Sequence, residues 1–169
     1  PDPGIGLEAV WPLLLGKPSL VDGTHYQEII DSHFHLYPLL DRYKVDDLSG
    51  VHAKLKSVLG EKMVDCVKDS VSNAVFPECR KQLQQDLSDG TAVCSGLQYS
   101  VGYHPTDHTT ADQEWLKSMA ESDEVVAIGE CGLELMVADQ HLVPLPFQKE
   151  NLRLQAEVAA QTGLVLVLH

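Results

Sequence analysis

Basic side chains are scarce. The chain carries 12 lysines and arginines against 25 aspartates and glutamates, a formal charge of −13 at pH 7. Such a surface repels a phosphate backbone, which excludes a nucleic-acid binder that works through a basic patch. An enzyme whose bound cations meet a phosphate is not excluded, because metal ions are often the largest local charges in a site. Long apolar runs are also missing. Leu164 to Leu168 is typical of the longest, well short of the roughly 20 residues a membrane-spanning helix needs. Trp11 to Leu15 is too short for the core of a signal peptide and lacks a basic flank. No Cys-x-x-Cys pair occurs among Cys66, Cys79, Cys94 and Cys131, and four cysteines in 169 residues are no disulfide scaffold. They read as free thiols, so the expected location is intracellular, cytoplasmic or nuclear. Aromatic residues make up only 6%, which leaves aliphatic side chains to fill the core.

What is present suits a globular chain: 44% hydrophobic and 22% charged residues. Residues 1–28 hold four of the nine prolines and four of the twelve glycines without a sustained period. They read as an irregular lead-in or a linker from an upstream domain. Residues 29–169 then alternate short apolar runs with polar, helix-like stretches. The runs are Ile29 to His35, Met63 to Val67, Leu97 to Tyr103, Val125 to Glu130 and Leu164 to His169. Thr110-x-x-Gln113 is a capping box ahead of Trp115, Leu116 and Met119. Pro146 opens a helix with Leu152, Ala156 and Ala159 at i, i+4, i+7, and Gly163 fits its C-terminal stop. Strands alternating with helices mean an α/β chain with a parallel sheet. The spacing, roughly 30 residues per unit, matches a (β/α)8 barrel of about 250 residues, cut to about five βα units. An open doubly wound sheet competes, but no glycine-rich phosphate loop follows the first strand.

The strand ends carry the chemistry. On a strand, alternate side chains share a face, so Asp31, His33 and His35 project together. Two imidazoles at i, i+2 can hold one metal ion, and Asp31 can add a ligand or orient a ring. Glu130 ends Val125 to Glu130 on the face of Val126 and Ile128, where a carboxylate can bridge two ions through its two oxygens. Cys131 faces the other way and reads as a packed thiol. His169 ends a run that is apolar on both faces, as a buried parallel strand is. His104, in Gly102-Tyr103-His104-Pro105, stands at the end of the third strand, where it can contact a phosphate or carbonyl. Strand C-terminal ends are where barrel active sites sit. His25, His52, His108 and His141 read as surface residues.

The ordered set of Asp31-x-His33-x-His35, Gly102-x-His104-Pro105, Ala127-Ile128-Gly129-Glu130-x-Gly132-Leu133, Phe147-Gln148 and Val165-x-x-x-His169 resembles the TatD family of metal-dependent hydrolases. The resemblance covers roughly residues 29–169. It implies a distorted (β/α)8 TIM-type barrel of the amidohydrolase type and metal-dependent cleavage of DNA from its ends. It further implies that His33 and His35 bind a first divalent metal, that Glu130 bridges it to a second, and that His169 binds the second. His104 would lie near the substrate phosphate. DNA would meet the protein through two divalent ions, for which histidine and carboxylate ligands suit Zn²⁺, Mn²⁺ or Co²⁺ and, less well, Mg²⁺. The family's usual Gly-Leu-Asp is Gly132-Leu133-Glu134 here. A further metal-binding histidine and a late aspartate are expected from strands after residue 169. Two other readings stand beside this one. One is an amidohydrolase acting on an amide or lactone, although such enzymes often place a modified lysine where Glu130 stands. The other is a catalytically incompetent fragment that functions only within a longer chain.

Overall fold

Strands and helices alternate along the chain, as the apolar runs predict. The structure is a computed structural model, and it describes residues 29–59, 67–91, 97–136 and 143–169. The lead-in over residues 1–28, the run Met63 to Cys66, and Cys94, His25 and His141 lie outside the described residues. Among those described, no helix is long and apolar enough to cross a membrane. The chain divides into two units between Ser70 and Val71.

The first unit contains β1 (Ile29–Phe34), α1 (Leu36–Tyr43) and α2 (Leu48–Leu59). His35 joins β1 to α1 with an extended backbone, and Lys44 ends α1 in the left-handed conformation. Asp47 then caps α2: its carboxylate accepts the Gly50 N–H at 2.8 Å, which satisfies one of the donors a helix start leaves open. Leu48, Val51 and Leu55, at i, i+3, i+7, form the buried stripe of α2. His52 lies beside that stripe and is half-buried, not the surface residue expected.

The second unit takes in the end of β2 (Val67–Ala74), then α3 (Pro77–Asp89), β3 (Leu97–Val101), α4 (Gln113–Met119), β4 (Val125–Cys131), α5 (Leu145–Thr162) and β5 (Val165–Leu168). Its strands neighbour one another in chain order, β2-β3-β4-β5. β4 pairs in parallel with β3 (Val101 opposite Ile128) and with β5 (Ile128 opposite Leu166). Tyr99, Val101 and Ile128 are wholly buried at the centre of this sheet. Helices fill the crossovers that parallel pairing requires.

Three further expectations are corrected. The second strand was expected to end near residue 67; it begins there. Its described C-terminal half is rich in polar residues, which hid it. Ser72 and Asn73 are buried, and Asn73 accepts a hydrogen bond from the buried Ser100 hydroxyl of β3. The capping residue of α4 is Asp112, not Thr110. Asp112 accepts the Trp115 N–H at 3.0 Å, while Gln113 reaches away to the Leu154 carbonyl at 3.1 Å. Third, the buried face of α5 is not the stripe of Leu152 and Ala156, which are half-buried. It is Gln148, Asn151, Gln155, Val158 and Ala159.

That face is polar because each amide replaces a hydrogen bond that a loop backbone lacks. Gln155 accepts the Tyr103 N–H at 2.7 Å and donates to the Tyr103 carbonyl at 3.1 Å. Asn151 does the same further along that loop, accepting from Ala111 N–H and donating to the Thr109 carbonyl, both at 2.9 Å. Buried backbone groups left unpaired cost about 1–3 kcal/mol each. Gln155→Leu, which strands both polar groups of Tyr103, is therefore expected to cost about 2–5 kcal/mol. Urea denaturation measures this, and a loss well under 1 kcal/mol would contradict the role.

Candidate functional site

The C-terminal ends of β3, β4 and β5 meet in the second unit. β4 can press against β5 there because two glycines remove the side chains that would collide. Gly129 has φ 129°, and a Cβ on it would lie 2.3 Å from the Val167 carbonyl oxygen. Gly132 has φ 154°, and its Cβ would lie 2.7 Å from the His169 carbonyl oxygen. Both are backbone conformations that L side chains rarely adopt. Between these glycines, Glu130 is buried at 6% exposure. The His169 N–H continues the pairing by donating to the Cys131 carbonyl at 2.8 Å. Cys131 is wholly buried and its thiol is pushed up to about 12, first by burial and then by the neighbouring Glu130 charge. It is a packed thiol, as expected.

His169 is held at both ring nitrogens. Nδ1 lies 2.7 Å from Glu130 Oε1, and Nε2 lies 3.1 Å from Glu134 Oε2. Burial disfavours the charged imidazole, but hydrogen bonds to the two carboxylates outweigh it and raise the His169 pKa above 6.5. Glu134 is itself fixed. Its other carboxylate oxygen accepts the Met136 N–H, and its backbone is clasped by the fully buried Gln148. The amide oxygen of Gln148 takes the Glu134 N–H at 2.7 Å, while its nitrogen donates to the carbonyls of Glu134 at 3.0 Å and Val143 at 2.7 Å.

His104 stands beside them, its ring centroid 4.5 Å from that of His169 in an edge-on arrangement. The Thr106 N–H points at His104 Nδ1 at 3.2 Å, with the Thr106 hydroxyl 2.7 Å away. A backbone N–H can only donate, so Nδ1 accepts and Nε2 carries the proton. Donor atoms of His104, Glu130 and His169 lie within 4.8 Å of one another. His104 is thus placed beside the Glu130–His169 pair. The turn that carries it is anchored by Arg80, which is buried. Its guanidinium donates to the carbonyls of Val75 (2.5 Å) and Gly102 (3.2 Å), pairs with Asp107 at 2.8 Å and stacks 3.9 Å above the Tyr103 ring. Asp107 closes the turn by donating its N–H to the His104 carbonyl at 2.9 Å.

A family model described as TatD related DNase matches residues 30–169. The chain belongs to the TatD family. Among curated proteins it is 36% identical over 75 residues to the uncharacterized metal-dependent hydrolase YabD of Bacillus subtilis (strain 168). That match takes in 41% of this chain and 28% of the relative, so the chain spans less than a third of the curated protein it matches.

The residues that carry the resemblance fall in both units. In the first unit, β1 and the residue after it carry the rings of His33 and His35, edge-on with centroids 5.4 Å apart. His33 is exposed and His35 half-buried. In the second unit, His104, Glu130 and His169 converge as described. His108 is exposed. Sequence reasoning missed Gln148 as a clasp, Arg80 with Asp107 as an anchor, and Thr106 as the residue that sets the His104 tautomer. Amides at i, i+3 and i+7 of an otherwise amphipathic helix were the available signal for the first. The carboxylates around His169 also give a pH signature. The proton held on this ring adds stability that is fully present below about 6.5 and is lost as pH rises through the raised folded value. In metal-free protein, the NMR titration of His169 is expected to have its midpoint above 6.5, and Glu130→Gln to move it down. A midpoint at or below 6.5 would contradict the pairing.

Proposed function

We propose that this chain carries the metal-binding part of a hydrolase that cleaves phosphodiester bonds of DNA with two divalent ions. The observation that supports it most is the placement of Glu130. A buried carboxylate at the end of β4 has an imidazole nitrogen of His169 at 2.7 Å. Buried carboxylates this close to histidines are costly unless paired or used to hold a cation. The donor chemistry fits: imidazole nitrogens and carboxylate oxygens suit ions of the Zn²⁺, Mn²⁺ or Co²⁺ type.

In this reading His33, His35, Glu130 and His169 would be the residues that hold the ions. When bound, such ions supply Lewis acidity, which makes water a nucleophile near neutral pH and offsets charge on the phosphoryl oxygens. His104 donates through Nε2–H to a phosphoryl oxygen, held in that tautomer by Thr106. Its ring is neutral in this role, so it orients the phosphate through a hydrogen bond without adding charge. The acidic chain, at −13, meets DNA through the ions and not through a basic surface. The further histidine and the late aspartate of the family pattern complete the site in a chain extended past residue 169.

A protein extended in that way is expected to degrade single-stranded DNA only with added divalent metal, and Glu130→Ala to lower the rate by more than about 100-fold. Undiminished turnover by the mutant would overturn the metal-holding role of Glu130. Cleavage of cyclic amides in place of DNA would overturn the substrate class.

A further inference from the structure

Resting on the metal-binding reading above, we infer that Glu134 is the positioning residue of the second metal site: it receives the Nε2–H of His169 and so presents Nδ1 as the ligand atom.

The two ring nitrogens of His169 are not equivalent. Nδ1 faces Glu130, the buried carboxylate, at 2.7 Å; Nε2 faces Glu134 Oε2 at 3.1 Å. A histidine that binds a metal uses one nitrogen as a lone-pair donor and keeps the proton on the other. A carboxylate accepting that proton fixes the tautomer and raises the basicity of the ligand. Among the described residues, the ligand atoms that gather with His169 are those of Glu130 and His104 and not that of Glu134, so the ion belongs on the Glu130 side, at Nδ1. Glu134 is then the acceptor behind the ring.

Glu134 is built to hold still. Its Oε1 is occupied by the Met136 N–H, which leaves Oε2 for the imidazole. Its backbone N–H and carbonyl are both bound by Gln148, at 2.7 and 3.0 Å, and Gln148 is 1% exposed. A carboxylate whose rotamer and backbone are both fixed orients its partner at little entropic cost. Gly132 adds the geometric condition: the close approach of the turn to the His169 backbone is what lets residue 134 reach around to Nε2. The longer glutamate, where the family usually has aspartate, spans that gap.

The test measures Zn²⁺ affinity of the whole chain by calorimetry, with nitrogen NMR of ¹⁵N-histidine-labelled protein loaded with Zn²⁺. Zn²⁺ is diamagnetic, so the ring nitrogens are readable. Glu134→Ala is expected to weaken Zn²⁺ binding by about 10–100-fold. Glu134→Gln, which keeps the side-chain shape, is expected to weaken it at least threefold. Both should leave the melting temperature of the metal-free protein within a few degrees of wild type. In the loaded wild type, His169 should show Nε2 protonated and Nδ1 bound to metal. Losses under threefold in both variants, or Nε2 as the bound nitrogen, overturn the assignment while leaving the metal site standing. Wild-type protein that binds no Zn²⁺ overturns the metal reading itself, and this assignment with it.

Discussion

Hydrogen bonding from the buried face of one helix governs where the second unit's loops go. A parallel sheet satisfies its own backbone, but the loops leaving its C-terminal edge do not. α5 answers with three amides spaced at i, i+3 and i+7, each fitted to a different stretch of loop backbone. The sites these loops carry follow. Gln155 fixes Tyr103, the neighbour of His104. Asn151 fixes the loop that leads into α4. Gln148 fixes Glu134, which touches His169. An aliphatic face would bury α5 equally well and leave every one of those loops without a partner.

Charge follows the same logic. Arg80 is buried, which is tolerable only because it spreads its donors over two carbonyls, a carboxylate and an aromatic face. In doing so it ties the ends of β2 and β3 to the turn after β3. The exposed ion pairs on the outer face of α5, such as Arg153 with Glu150 at 2.6 Å, are of another kind, screened and individually weak. The buried cation shapes the site, and the surface pairs decorate a helix.

The strand ends were legible in the sequence because apolar runs closing on a histidine or a glutamate break a strong pattern. β1, β3, β4 and β5 lie close to where the runs placed them, and His104, Glu130 and His169 converge as their shared position at strand ends implied. What could not be read were the contacts that make polar residues acceptable inside. β2 was misplaced because its buried Ser72 and Asn73 look like a loop until Ser100 is known to lie beside Asn73. The face of α5 was misread because hydrophobicity points to Leu152 and Ala156, whereas satisfaction of distant backbone points to Gln148, Asn151 and Gln155. The α4 cap was shifted by two residues because Thr110 and Asp112 both suit a cap, and the backbone of Ala111 was already committed to Asn151. In each case the deciding partner is remote in sequence.

The Gln148 clasp has an evolutionary side. One amide grips the chain at Glu134 and again at Val143, so the two ends of the intervening segment are held at a set separation by a residue that belongs to neither. Residues can be gained or lost between those grips at a closure cost that grows only with the logarithm of length. The carboxylate beside His169 stays where it is. Such an arrangement lets the length of chain between the two grips change while Glu134 keeps its place beside His169.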